Sequence, residues 1–180
     1  MVATALVVMG VSGSGKSTIG SELATRLQWP YADGDTFHSP ENVAKMAVGI
    51  PLTDTDRWPW LRVVERWMSE KLRAGSSCVV ACSALRKSYR DLLRGAAEGV
   101  PGAAVRFVFL DVDRDLLRHR LIARHGHFMH ADMLDSQLAT LEPPTAAERS
   151  ITIPITAGTA PSSTVDEIIE ALDRAERGPT

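Results

Sequence analysis

Apolar residues fall into short solid blocks, separated by longer stretches in which they return every three or four positions. Solid blocks at 4–9, 77–82 and 105–110 read as buried strands, with a weaker block at 151–155 and a short one at about 30–33. The stretch after the first block places Ile19, Leu23 and Leu27 on one helix face. A second helix starts at Ser39-Pro40, an N-cap followed by proline at the first helical position, and stops near Gly49. A third is predicted from about Pro59 to Arg73, with Leu61, Val64, Trp67 and Met68 on one face and Gly75 beyond its end. Asp56 is its expected N-cap, which puts Pro59 in the first turn. Further helices are predicted over roughly 85–97, 114–124, 137–141 and 165–175. Strands alternating with helices predict an α/β fold, a parallel sheet flanked by helices and wound right-handedly. Ligands of such sheets sit at the carboxyl ends of the strands. That singles out residues 10–17, 33–35, 83–86 and Asp111.

The 180 residues suit a single domain over 1–180, and no internal repeat is present. The formal net charge is −2 with no long basic run, which argues against nucleic acid as a partner. Cys78 and Cys82 lie on one predicted strand, with Cα atoms about 13 Å apart, too far for a disulfide. They read as buried thiols of a reducing compartment. Neither a signal peptide nor a membrane span is read, so no membrane partner and a cytoplasmic location are expected.

Residues 10–17 read Gly-Val-Ser-Gly-Ser-Gly-Lys-Ser, a complete G-x-x-x-x-G-K-[ST] loop between a strand and a helix. Its backbone N–H groups form a nest for phosphate oxygens, and the helix points its positive end into the same space. Lys16 adds a positive charge for the terminal phosphates, and the Ser17 hydroxyl is a ligand for Mg²⁺. The expected nucleotide-binding set is Gly10, Val11, Ser12, Gly13, Ser14, Gly15, Lys16, Ser17 and Thr18.

Other strand ends carry matching chemistry. Asp33-Gly34-Asp35 offers one carboxylate for a metal's hydration shell and another to orient an attacking hydroxyl, although Asp-Gly turns are also common. Arg57 sits among acids and tryptophans, suited to a surface ion pair or to a two-pronged grip on a carboxylate. Ser83 and Arg86 leave the central strand just before a helix, where N–H groups can meet an anion. Arg120 and Arg124 share a helix face, and Gly126 follows as a hinge, as expected of a flap that neutralises developing charge. His125, His127, His130 and Asp132 are read as incidental to that flap rather than as a metal site.

These segments resemble the gluconate kinase family of small phosphate-loop type. The resemblance rests on residues 9–18, on Asp33-Gly-Asp with Phe37-His38, and on Asn42 to Met46. It continues through Pro51-Leu, Asp54-x-Asp-Arg-x-Pro-Trp60-Leu, and Cys82-Ser-Ala-Leu-Arg-Lys with Tyr89-Arg-Asp-Leu-Leu. It reaches Arg120–Phe128, Met133-Leu, Gln137 and Leu141-Glu-x-Pro. The resemblance implies a nucleoside-monophosphate-kinase-like P-loop kinase fold with a helical lid over about 120–142, and usually a homodimer. It implies ATP-dependent phosphorylation of D-gluconate at the 6-hydroxyl with Mg²⁺, giving 6-phosphogluconate. Carried over residue by residue, Asp35 faces the sugar acid. His38, Lys45, Arg57, Ser83, Arg86 and the lid's His127 become candidates for substrate contact. Lys16, Asp35 and Arg124 become catalytic candidates, Arg120 joins the nucleotide contacts, and Ser17 and Asp33 are candidates for Mg²⁺, the latter through water.

Overall fold

The computed structural model describes residues 2–125 and 131–177. Five strands, β1 (Thr4–Met9), β2 (Tyr31–Asp33), β3 (Cys78–Ala81), β4 (Ala104–Val112) and β5 (Ile151–Ile155), form one parallel sheet in the order β2-β3-β1-β4-β5. β1 is buried along its whole length, which is why it reads as a solid apolar block rather than an alternating one. Its side chains still alternate between faces. Ala5, Val7 and Met9 meet Leu61, Val64 and Met68 of α3 (Asp54–Arg73) and Tyr89 and Leu93 of α4 (Lys87–Arg94). Leu6 and Val8 meet Ile19 and Leu23 of α1 (Lys16–Leu27) and Val165 and Ile168 of α7 (Pro161–Arg177). Cys78 and Cys82 are buried and unlinked, and burial pushes both thiols up to about 12.

A third apolar cluster lies above the carboxyl edge of the sheet. Leu117 and Leu121 of α5 (Arg114–His125) and Leu134 of α6 (Ala131–Thr140) close on Val11 and Leu85, which belong to the loops after β1 and β3. This cluster seats the α5–α6 arm over the loops that the sequence marks for chemistry.

Several boundaries differ from expectation for identifiable reasons. α3 begins at Asp54, not near Pro59. Thr53 is its N-cap and Asp56 is the third helical residue, the two closing a reciprocal capping box. Asp56 is therefore not the cap, and Pro59 stands inside the helix rather than in its first turn. α2 (Pro40–Ala47) is capped by the Ser39 hydroxyl as its sequence predicts. α4 starts only at Lys87, because Ala84 takes φ +44° and Arg86, its N-cap, is extended. β4 runs on to Val112, past Asp111, and it is Asp113 that accepts the first amides of α5. α6 starts six residues before the predicted Gln137, and α7 starts at Pro161, a proline at the first helical position.

Candidate active site

The loop after β1 turns on glycines in the left-handed region, Gly13 (φ +82°) and Gly15 (φ +97°), before α1 begins at Lys16. Gly10 (φ +148°) has no room for a side chain, since a Cβ there meets the Ser14 hydroxyl at 2.8 Å and the Leu110 carbonyl at 3.2 Å. Lys16 Nζ donates to the Val11 carbonyl at 3.0 Å, which folds the lysine over the loop it serves. Arg120 crosses from α5 and donates to the carbonyls of Gly13 and Ser14 at 3.3 and 3.4 Å. A cleft opens on this side between Gly13, Thr18, Arg120 and the segment Ile155–Thr164.

Ser17 and Asp33 come together. The Ser17 hydroxyl donates to Asp33 Oδ2 at 2.6 Å, and Asp33 Oδ1 accepts the Asp35 N–H at 3.0 Å. Two hard oxygen donors side by side suit Mg²⁺, which takes one or two protein oxygens and completes its shell with water and phosphate. Among the described residues no group of three or more histidine, cysteine or acidic side chains is placed to hold a metal ion.

On the other side of Lys16 lies a second cavity, lined by Ser12, Lys16, Asp35, His38, Arg57, Trp60, Ser83 and Gln137. Gly34 sets the position of Asp35. A Cβ at Gly34 falls 2.5 Å from the Ala81 carbonyl, so only glycine lets this turn lie against β3. Trp60 Nε1–H donates to the Gly34 carbonyl at 2.7 Å and ties the same turn to α3. The Asp35 side chain is 73% exposed to the cavity, while His38 is 4% exposed and stacked on Trp60 at 4.1 Å. Burial holds His38 below its ordinary value, so it is neutral near pH 7. The Asn42 side-chain amide donates to His38 Nδ1, which leaves the ring proton on Nε2, 3.9 Å from Asp35.

The arginines divide between two settings. Arg57 lines the cavity, and its guanidinium donates to the Tyr89 hydroxyl at 3.3 Å. Tyr89 donates in turn to Asp54, whose second oxygen takes Arg86 at 3.3 Å. Lys45 turns to Asp56 at 2.7 Å and, with Thr53, holds that carboxyl at about 2. Its contact is thus with the start of α3. The helix backbone reaches Arg124, but its side chain, and all of His127, Gly126 and His130, lie outside the described residues.

Residue-level reading of the sequence passed over three groups. Asp54 and Tyr89 link the two arginines. Arg90 is buried and meets Glu148 in two parallel hydrogen bonds of 2.7 and 2.9 Å, while donating to the carbonyls of Ala84 and Leu85. Gln137 reaches the phosphate loop from α6. Each stood only inside a family-like segment, without local spacing to mark it.

A parallel sheet ending in a glycine-lysine phosphate loop, with a carboxylate and an arginine across a shared cavity, defines a P-loop kinase. The family model described as an AAA domain matches residues 6–144. A gluconokinase of Gluconobacter oxydans is 52% identical over 139 residues, covering 77% of this chain and 75% of that protein. The crystal structure of a gluconokinase from Sinorhizobium meliloti 1021 superposes with a TM-score of 0.82 at 41% identity, covering 97% of this chain and 94% of that one. An unliganded sugar kinase from Janibacter sp. HTCC2649 gives a TM-score of 0.81 at 43% identity over 99% of both chains. The chain belongs to the gluconokinase family.

Proposed function

We propose that this enzyme transfers the γ-phosphoryl group of ATP to the 6-hydroxyl of D-gluconate, releasing ADP and 6-phospho-D-gluconate. The observation that carries the reading is one cavity shared by Lys16 of the donor loop, the exposed Asp35 and Arg57. Gluconate is a linear polyol with one carboxylate. Arg57, steadied by Tyr89, supplies a planar fork for that carboxylate. Asp35 accepts a hydrogen bond from the 6-hydroxyl and aims its oxygen at the phosphorus. Neutral His38, its ring proton on Nε2 and 3.9 Å from Asp35, lines the same cavity and offers a donor to a neighbouring hydroxyl. Lys16, with the loop N–H groups, holds the phosphates, and Arg120 and Arg124 extend the positive wall. Lys45, Ser83, Arg86 and His127 complete the acceptor side in this reading, Lys45 by holding α2 on α3 through Asp56.

The cleft between Thr18, Arg120 and Ile155–Thr164 takes the base and ribose of the nucleotide. Ser17 and Asp33 hold Mg²⁺, which when bound neutralises charge on the β- and γ-phosphates. The unit works as a single domain whose lid spans about 120–142, as a homodimer in the cytoplasm. Among the described residues no helix is long and apolar enough to cross a membrane. Proton–phosphorus correlation NMR of the product tests the regiochemistry: coupling of phosphorus to the C6 protons is expected, and coupling to any other carbon's proton contradicts it.

A further inference from the structure

Gln137 stands on α6, far along the chain from the phosphate loop, yet its Oε1 accepts the Ser12 backbone N–H at 2.7 Å. A backbone N–H requires an acceptor, so the amide oxygen, not its nitrogen, faces the loop. Gln137 also lines the acceptor cavity, together with Met133 and Ser136 from the same helix face. The neighbouring face carries Leu134 and Leu138, which join the apolar cluster with Leu117 and Leu121 of α5. Beyond α6 the chain is tied to the loop between β3 and α4, residues 82–86, the acceptor loop of this reading. The Glu142 N–H donates to the Leu85 carbonyl at 2.8 Å, and the Lys87 N–H donates to the Glu142 carboxylate at 2.7 Å. α6 is thus rooted on the acceptor loop and reaches the donor loop through Gln137.

We propose that Gln137 is a positioning residue of phosphoryl transfer. Acting through Ser12, it latches α6 over the acceptor cavity and keeps water from competing with the acceptor hydroxyl. The inference rests on the gluconokinase reading for the identity of that acceptor. Its chemical basis is general. Water and a sugar hydroxyl are similar nucleophiles, so selection between them depends on placement and exclusion. Attack by water on the γ-phosphorus breaks the same bond and yields ADP and inorganic phosphate, without a phosphorylated sugar acid.

Gln137→Leu removes the acceptor atom at similar size, and Gln137→Glu retains an oxygen for the Ser12 N–H. In the full-length enzyme, losing a hydrogen bond of this kind is expected to raise the KM for gluconate about tenfold in Gln137→Leu, with the KM for ATP within about twofold. ADP formed per phosphogluconate rises above one in Gln137→Leu and stays at one in Gln137→Glu. A ratio of one in Gln137→Leu, with both KM values moving together, overturns the latch. A second readout uses no substrate. Hydrogen exchange at Ser12 and along α6 is expected to quicken in Gln137→Leu while β1 and β4 stay protected, and unchanged exchange overturns the proposal. Wild-type enzyme inert toward gluconate counts against the proposed function instead, and the exchange experiment still decides the latch.

Discussion

Asp35 stands exposed at the end of β2, while His38, three residues on, is buried against Trp60. Their chemistry follows from that difference. Asp35 is free to meet a hydroxyl, and Asp35→Asn is expected to lower kcat by about 10²-fold or more, read by coupled ADP release, if it accepts the proton. A near-normal rate contradicts that role. Arg57→Lys keeps the charge and loses the planar fork, so the KM for gluconate should rise well beyond any change in the KM for ATP. Equal shifts of both argue against carboxylate binding by Arg57. The His38 shift has a definite sign. Its folded value is depressed below the ordinary 6.5, so folding favours the neutral ring. The stability this contributes is complete above pH 6.5 and is lost as pH falls below it. A His38→Gln variant should flatten that part of a urea-unfolding pH series. Residue roles were only partly legible in the sequence. Arg57 lies among acids in the chain, but its neighbour in space is Tyr89 from another helix. Lys45 finds Asp56 across the gap between α2 and α3, a pairing that no spacing encodes.

At the scale of elements, β1, β3 and the middle of β4 were legible because they are buried in the centre of one parallel sheet and appear as apolar blocks, while the edge strands β2 and β5 are only partly buried and gave shorter or weaker blocks. The start of α3 was not legible. Its capping box uses Asp56 where Glu or Gln is the usual partner, and Pro59 suggested a later first turn. α6 was foreshortened because its apolar face is narrow, serving a small cluster and a polar cavity at once. Two loops depend on close contacts between elements. Gly34→Ala forces a Cβ to 2.5 Å from the Ala81 carbonyl and must displace the Asp33–Asp35 turn. Loss of gluconate turnover with the sheet's circular dichroism intact is the expected result.

The acceptor loop hangs on Arg90, whose side chain is 1% exposed and whose partner Glu148 is 4% exposed. Glu148→Gln leaves a buried guanidinium without its counter-charge, at a cost of about 3–5 kcal/mol measurable by urea unfolding. Hydrogen bonds from Arg90 hold the Glu148 carboxyl down at about 2, below its ordinary 4.5. Because that value is depressed, the pair's contribution is full above pH 4.5 and is lost as pH falls toward 2. The variant should show a flatter acid limb than the wild type.

At the scale of the whole molecule, the sheet separates two jobs and its carboxyl edge rejoins them. In the proposed reading the loop after β1 takes the donor and the turns after β2 and β3 with α3 take the acceptor; α5 and α6 cross above the two cavities that these segments line. The donor half was legible from eight consecutive residues, because phosphate binding by backbone N–H groups needs glycines at fixed positions. The acceptor half was legible only in pieces: Asp35, Arg57 and Ser83 stood out by strand-end position and chemistry, but what they face came through resemblance, because these side chains lie on separate segments that folding alone assembles.

The central claim is that these halves form one site built for a sugar acid. It is tested most directly by steady-state ADP release at saturating ATP and Mg²⁺ with gluconate, glucose, shikimate or no acceptor. The account predicts release that depends on gluconate, with glucose, which lacks the carboxylate for Arg57, slower in kcat/KM by about 10²-fold or more. Release that is equal with glucose, or that proceeds as fast with no acceptor at all, contradicts it.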